Sequence, residues 1–404
     1  MTWVSISIKE HSATMEQKTS SFQFDTVKQI ICAVGARHKL GEYCVQLGLK
    51  HILLVTDAGI VQYNLHHDAL ASLKQHNIAY TIYDQVQADP PDHVVLSAVD
   101  MAISQHIDGV IGYGGGSSMD VAKLIAILAN PKQNQQLSDM YGVGNIIGKR
   151  LPLIQVPTTA GTGSEVTCVA IVTTGDTTKM GVVSPTLYAD IAILDAELTT
   201  GLPPSVTAAT GIDAMVHAIE AYTSVHKKNL YSDMLAKQAL LLLDQNLQTA
   251  IHQGHNLMAR QNMLFGAMLA GQAFANSPVA AVHALAYPLG GHYHISHGLS
   301  NALVLCEVIR FNISHAAKDY AALMQLLEPS AQGSDDDLAN QLIDRLEQHM
   351  IQSGLPRRLN ELNIPEQDLD MLARDAMLQT RLLVNNPREV THADALAIYQ
   401  AVYA

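Results

Sequence analysis

The sequence predicts an α/β half built on a parallel sheet, followed by an all-helical half, and three observations carry that reading. Up to about residue 200, short β-rich runs alternate with amphipathic segments, the pattern of a parallel sheet covered by helices. After Leu202-Pro203-Pro204 the strand patterns stop and long helical periodicities take over. With 404 residues, 48% of them hydrophobic, the chain is long enough for two domains with real cores.

The elements follow in order. Residues 1–21 are polar and lack the cationic start, apolar stretch and small-residue cleavage site of a secretion signal. They read as a loose extension or an arm laid on a neighbouring subunit, in a protein that stays in the cytoplasm. Phe22-Gln-Phe24 suits a strand paired with a second copy, giving a homodimer or higher. The α/β domain is placed at 22–201. Its strands are expected at His51–Thr56, Ala79–Tyr83, Gly109–Gly112, Leu153–Val156, Val169–Thr173 and Ile191–Leu194, with helices such as Asp92–Gln105 and Ser117–Leu128 between them. The helical domain is placed at 202–404, with helices including Tyr231–Ala250, Asn262–Ala275 and Asp337–Gln352.

Composition excludes several partner classes. A formal charge of −13 argues against nucleic acid and anionic membrane surfaces. Four scattered cysteines without a Cys-x-x-Cys pair point to a reducing compartment and buried thiols. No Asp, Glu, Lys or Arg occurs between Arg260 and Glu307, yet Gln272, Asn276, Pro278 and several histidines interrupt that stretch. Its Gly and Ala content suits tight helix packing rather than a membrane span.

The densest chemical signal lies in the second half. The fifteen residues His283–His297 hold four of the nineteen histidines, and upstream Asp213 and His217 are spaced to share one helical face. This pattern suggests a divalent metal held by imidazoles and one carboxylate. On one unbroken helix His283 and His297 would lie roughly 21 Å apart, too far for common ligands. The helix is therefore expected to break, with Pro288 and Gly290-Gly291 as the breakers.

The first half carries a nucleotide signal. Val110 to Lys123 runs from a strand through Gly114, Gly115 and Gly116 to Ser117 and into a helix, so bare backbone N–H groups and a helix N-terminus could meet a pyrophosphate. It departs from the usual dinucleotide fingerprint, because the loop follows the third predicted strand and Ser117 stands where a third glycine is needed. A plain glycine turn is the alternative. Asp57, at the end of a predicted strand, could accept from both adenosine ribose hydroxyls and repel a 2′-phosphate, favouring NAD over NADP. The alternative is a cap on a helix starting at Ala58. Pro157–Glu165 crowds hydroxyls and glycines after another strand, a loop suited to phosphate or nicotinamide contact or simply a Ser/Thr turn.

These segments, in this order, resemble the iron-containing (group III) alcohol dehydrogenase family from about Phe22 to Tyr403. The matching pieces are Val-Thr-Asp57, Gly114-Gly-Gly-Ser-x-x-Asp120-x-x-Lys123, Pro157 to Thr167, Gly211 to Glu220, His283 to Asn301, and Asn385-Asn-Pro-Arg388. The resemblance implies a dehydroquinate synthase-like pair of domains, an N-terminal α/β domain for NAD and a C-terminal helical domain for the metal. It implies metal ligands and catalytic centre at Asp213, His217, His283 and His297. Asp57 would hold the adenosine ribose and Gly114 to Ser117 the pyrophosphate, with Asp120 in the same motif. Thr158, Thr159 and Thr162 would make further cofactor contacts, and Lys179 lies where the family has a lysine near a ribose.

Phe274 falls at an apolar wall of the substrate pocket. Tyr287 occupies a place where many relatives carry a second histidine, and a phenol with an unperturbed pKa of ~10 is a poor proton relay at neutral pH. His292 and His294 read as structural. The implied activity is interconversion of a primary alcohol and its aldehyde by hydride transfer to NAD, with Fe(II) favoured and Zn(II) the alternative. An ω-hydroxy-acid dehydrogenase, with Arg388 as a conceivable carboxylate partner, and a hydroxyacid–oxoacid transhydrogenase are the alternatives on the same scaffold. A lyase acting on a sugar phosphate would need basic groups around the metal, and the segments around Asp213 and His283–His297 offer none. A nucleotide- and metal-binding sensor without turnover leaves so complete a ligand set unexplained.

Overall fold

Six strands lie side by side, all parallel, in the order β1-β9-β6-β4-β2-β3. The structure, a computed structural model, describes residues 21–175 and 178–404. In chain order the strands are β1 (Gln29–Cys32), β2 (His51–Asp57), β3 (Ala79–Val86), β4 (Gly109–Gly114), β5 (Gly142–Val143), β6 (Leu153–Pro157), β7 (Val169–Thr174), β8 (Thr178–Val183) and β9 (Ile191–Leu194). Helices α1 (Leu40–Gln46), α2 (Ala58–Gln62), α3 (His67–Gln75), α4 (Asp92–Ser104) and α5 (Gly116–Leu128) provide the crossovers.

Strands β4, β6 and β9 are buried at every residue, which is why their sequences are nearly continuous apolar runs rather than alternating ones, with Gln155 of β6 the polar exception, donating to the Met119 carbonyl at 3.0 Å. Along β2 successive side chains part to opposite faces. Ile52 and Leu54 pack under α1 and α3 in one cluster, whereas Leu53 and Val55 join the larger core.

That larger core continues without interruption into the second half. There the chain is helical: α6 (Pro204–Thr223), α7 (Leu230–His252), α8 (Leu257–Asn276), α9 (Ala281–Tyr293), α10 (His297–Leu327), α11 (Asp335–Ser353), α12 (Leu369–Met377), α13 (Thr380–Leu383) and α14 (His392–Ala401). Among the described residues no helix is long and apolar enough to cross a membrane.

Each predicted strand is present, but three features differ from the sequence reading. The short strands β1, β5 and β8 carried no distinguishable pattern. As a result, the glycine turn follows the fourth strand rather than the third. Val169–Thr173 is a strand, yet it leaves the main sheet and pairs antiparallel with β8 in a second sheet of order β5-β8-β7; apolar periodicity reports a buried strand and is silent about its partner. Phe22-Gln-Phe24 forms no strand. Phe24 packs edge-on against Tyr231 with ring centroids 4.4 Å apart, and Phe22 is exposed. Most of the expected 1–21 extension lies outside the described residues.

A buried cation ties the glycine turn to the loop beyond β6. Lys123, on α5, is wholly buried, and its ammonium donates to Ser164 Oγ at 2.7 Å, Thr167 Oγ1 at 3.1 Å and the Val169 carbonyl at 2.7 Å, with Asp120 Oδ1 at 3.3 Å. Asp120 in turn accepts from Ser164 Oγ at 2.6 Å and from the Ile171 N–H at 3.0 Å. Nearby, burial pushes the Glu165 carboxyl up to about 7, against the pull of its own hydrogen bonding and of Lys123.

An acid whose folded pKa is raised keeps its proton while the unfolded chain ionises, so stability falls as pH rises from about 4.5 to about 7. Glu165→Gln removes that contribution. Urea unfolding at pH 5 and pH 8 should show the wild type losing on the order of 1–3 kcal/mol relative to the variant across this window. Parallel pH dependence in the two proteins would refute the assignment.

Candidate metal centre and cofactor cleft

The chain leaves β2 for β3 on one side and later returns to place β4 on its other side, so the sheet has a topological switch point between β2 and β4. Ligands of open α/β sheets bind outside the strand ends at such points. Asp57 ends β2, Gly114 ends β4, and Pro157, paired in register with Gly114, ends β6. Gly114 adopts φ +156°, and a Cβ there would stand 2.7 Å from Ser118 Oγ, so only glycine makes this turn without displacement.

From Gly115 and Gly116 the chain enters α5, whose first N–H groups have no partner within the helix. Asp57 does both things its position allows. Its Oδ1 caps α2 by accepting from the Ile60 N–H at 3.1 Å, while its Oδ2 faces Gly114, 3.3 Å from where a Cβ would be.

The remaining nucleotide-side residues divide in two. Thr162 lies against Gly116, and Thr159 faces Gly115. Thr158 is buried beneath the turn with its N–H committed to the Gly114 carbonyl. Asp120, expected beside the cofactor, lies on the cleft wall but spends both carboxylate oxygens inside the protein, on Ser164 and Lys123 and on the Ile171 N–H.

On the helical side, α6 presents Asp213, His217 and Glu220 on one buried face at helical spacing. His283 comes from α9, and His297 opens α10. One ligand atom from each of Asp213, His217, His283 and His297 lies within 4.8 Å of the others. Four donors about 2.1 Å from a tetrahedral ion would be ~3.4 Å apart; His297 Nε2 and Asp213 Oδ1 are 3.5 Å apart.

The predicted break between His283 and His297 exists, in a different place. Helix α9 runs on through Pro288, Gly290 and Gly291 to Tyr293, and the turn comes at His294, whose φ of +54° is left-handed. Gly298 then lets α10 close onto α6, because a Cβ at that position would be 2.3 Å from the Ala209 carbonyl oxygen. His283 and His297 meet with ring centroids 5.3 Å apart.

The electrostatics suit a cation. Burial pushes His217 and His283 below the ordinary imidazole value, the latter well below, so both are neutral at pH 7, the form that ligates a metal. Burial alone would raise the Asp213 carboxyl, but His217, His297, His283 and the Asn301 amide hold it below its usual range. Asn301 Nδ2 donates to Asp213 Oδ1 at 2.6 Å and lies 3.4 Å from His283 Nε2 and 3.3 Å from His297 Nε2. His217 Nδ1 and Asn301 Oδ1 are buried beside the cluster with no hydrogen bond of good geometry. The donor set, its burial and its spacing all fit a divalent metal.

Two residues of this centre escaped the sequence reading. Glu220 Oε2 lies 2.6 Å from His283 Nδ1, and its Oε1 accepts from the Val282 N–H at 2.7 Å, which turns His283 Nε2 toward the ligand cluster. Its place three residues after His217, on the same face, was the available signal. Asn301, four residues after His297, carried the same helical cue.

A cavity of about 740 Å³ joins the two sides, lined by Gly116, Ser117 and Thr162 from the first half and by His217, His283 and His297 from the second. Phe274 stacks on His217 with centroids 4.4 Å apart, and Tyr287 stands 6.1 Å from His297 by the same measure. Burial pushes the Tyr287 phenol up, with Arg381 pulling the other way. Lys179 reaches this end of the cavity, 3.0 Å from the Cβ position of Gly290, and pairs with Asp89 at 2.6 Å.

Basic groups missing from the ligand segments are therefore supplied from elsewhere, as Lys179 on β8 and Arg381 on α13. His292 instead meets Asp375 at 2.6 Å and lines a separate small cavity, and His294 is exposed. Arg388 stays outside the cleft, donating to the Phe311 carbonyl at 3.0 Å and lying over the Phe311 ring, so it is no carboxylate partner.

Comparison with known proteins agrees with this geometry. Residues 28–196 match the family described as iron-containing alcohol dehydrogenase, and residues 207–403 match the C-terminal part of the Fe-containing alcohol dehydrogenase family. The chain is 40% identical over 372 residues to long-chain-alcohol dehydrogenase 1 of Geobacillus thermodenitrificans, covering 92% of this chain and 94% of that protein. It is 32% identical over 366 residues to the NAD-dependent methanol dehydrogenase of Bacillus methanolicus, covering 90% and 95%. A crystal structure of 1,3-propanediol oxidoreductase superposes with a TM-score of 0.91 at 33% identity, covering 95% of this chain and all of that one.

Fold and site thus define an oxidoreductase acting on alcohols. The chain belongs to the iron-containing alcohol dehydrogenase family.

Substituting Glu220 by Gln leaves the His283 ring without its carboxylate partner. Divalent metal affinity should fall about 10–100-fold, measured by competitive chelator titration with Zn(II). Wild-type affinity in the variant would show that Glu220 plays no orienting role.

Proposed function

We propose that this protein is a metal-dependent, NAD-linked alcohol dehydrogenase interconverting a primary alcohol and its aldehyde, with Asp213, His217, His283 and His297 as the ligands of a catalytic divalent ion. The observation that carries this reading is one cavity bounded by both the glycine-turn helix and three of the four candidate ligands. When bound, the ion supplies Lewis acidity toward the alcohol oxygen and the nicotinamide accepts the hydride.

The chain's own residues do the rest. Glu220 fixes the His283 tautomer, and Asn301 holds the Asp213 carboxylate by its amide. Phe274 walls the cavity beside His217 and gives a substrate methylene chain an apolar surface. Tyr287 Oη keeps its proton at neutral pH, so it orients by hydrogen bonding and takes no proton. Gly114 to Ser117, with Thr158, Thr159 and Thr162 around the turn, are assigned to the cofactor phosphates, and Lys179 to a cofactor ribose. Asp120 acts at one remove, holding the turn through Ser164 and Lys123. The free oxygen of Asp57 favours NAD over NADP by accepting ribose hydroxyls and repelling a 2′-phosphate.

Nitrogen and oxygen donors accept Fe(II) and Zn(II) alike, and family membership favours Fe(II). Phe22, Leu230, Tyr231 and Met234 expose apolar surface around the Phe24 contact, which supports a homodimer or higher.

Metal analysis followed by NAD reduction on a panel of C2–C6 alcohols, with the apoprotein reconstituted anaerobically with Fe(II) or Zn(II), tests the reading. Activity restored by Fe(II) and absent from the apoprotein is expected; stoichiometric metal with no turnover on any alcohol would overturn it. In His283→Ala, metal retention and turnover should both be lost while calorimetric NAD binding persists. Asp57→Gly should lower the ratio of kcat/KM for NAD over NADP by at least about tenfold, the loss of one charge-assisted contact, and an unchanged ratio would remove Asp57 from the ribose site.

A further inference from the structure

Arg381 is the residue of the cavity that the alcohol chemistry leaves without a task. It sits on the short helix α13, half-buried, far in sequence from every ligand, and it lines the same cavity as His217, His283 and His297. Its guanidinium lies beside the Tyr287 hydroxyl and 3.6 Å from the Cβ position of Gly181 on β8. Tyr287 is one turn along α9 from His283, so a single side chain separates Arg381 from the ligand cluster.

The other cations of the wall are engaged or exposed: Lys179 is held by Asp89 and Lys228 by Asp233, while Lys227 is exposed. Among the described residues Arg381 forms an ion pair with none. A partly desolvated guanidinium facing a cavity without a counter-ion is a ready acceptor site for a planar anion, which it can bind through two parallel N–H donors. The Tyr287 hydroxyl, on the same cavity wall, adds a third donor.

The position also decides which anion. The glycine turn is surrounded by Asp57, Ser118, Thr159 and Thr162, whereas Arg381 lines the cavity from α13, which packs against α9, the helix that carries His283 and Tyr287. Arg381 therefore faces the reacting end of the cleft rather than the pyrophosphate.

We infer that Arg381, with the Tyr287 hydroxyl, anchors a carboxylate at the far end of the alcohol substrate, so that the site selects ω-hydroxy acids and the corresponding aldehyde acids over uncharged alcohols of the same length. This rests on the dehydrogenase reading above.

The test compares the metal-loaded wild type with Arg381→Leu and Arg381→Lys, using 3-hydroxypropanoate, 4-hydroxybutanoate and 5-hydroxypentanoate against 1-propanol, 1-butanol and 1-pentanol with NAD. At the best-fitting length the wild type should prefer the acid. Arg381→Leu should lower the ratio of kcat/KM for the acid to that for the matching alcohol about 10–100-fold, chiefly through KM, because a charged hydrogen-bonded pair is lost. Arg381→Lys should recover part of that ratio, since it keeps the charge and loses the fork.

Calorimetric titration with butanoate, which has no hydroxyl to oxidise, should show binding to the wild-type enzyme–NAD complex and at least tenfold weaker binding to Arg381→Leu. An unchanged ratio, a rise in the KM for NAD instead, or equal butanoate binding to both proteins would overturn the inference. If the wild type oxidises neither acid nor alcohol, the dehydrogenase reading falls, and the butanoate titration alone decides whether Arg381 is an anion anchor.

Discussion

The structure is organised around one demand: an oxygen and three nitrogens from three helices must meet within a few ångströms of one point. Two helices whose candidate ligands are fourteen residues apart can satisfy it only by doubling back, and the left-handed residue His294 makes that reversal. The second helix must then approach the first closely, which the missing side chain of Gly298 permits against the Ala209 carbonyl. Helix axes ordinarily sit 8–10 Å apart depending on the side chains between them. Here a glycine at the crossing sets the distance, and the ligand geometry follows from it.

Burying so many polar groups is expensive unless each has a partner, and the fold supplies most of those partners locally, with His217 Nδ1 and Asn301 Oδ1 the exceptions at the ligand cluster. Glu220 serves His283 and a backbone N–H at once, and Asn301 serves Asp213. On the nucleotide side, Lys123 spreads its charge over two hydroxyls, a carbonyl and Asp120. These bonds link the helix after the glycine turn to the loop after β6, so that the turn and the threonines opposite it are held as one rigid wall. The low effective dielectric that makes such groups costly also strengthens their satisfied contacts on both sides of the cleft.

Between these walls the cavity is apolar at Phe274 and polar at its ends. The start of α5 at Gly116 and Ser117, with Thr162 opposite, lines one end, and the helical half presents the candidate ligand cluster. Because a single apolar core runs from one face of the sheet into the helices, the two walls keep a fixed relation, as hydride transfer between two bound partners requires.

Much of this was legible in the chain itself. The alternation of β-rich and amphipathic runs, and its end near residue 200, determined the architecture, because period and burial are written locally in residue type. Asp213 and His217 could be paired from helical spacing alone, and Gly114 to Ser117 could be read as a turn into a helix N-terminus. What the sequence left open depended on contacts between distant segments: β7 joins a second sheet, Asp57 caps a helix as well as facing the turn, and the reversal falls at His294 rather than at Pro288. Arg381 gives no local sign of a role, since a surface arginine and a cavity arginine have the same sequence neighbourhood. Residue chemistry and periodicity thus determined which groups could act, and only tertiary packing decided which of them share a cavity, because desolvation and proximity belong to the folded chain and not to any segment of it.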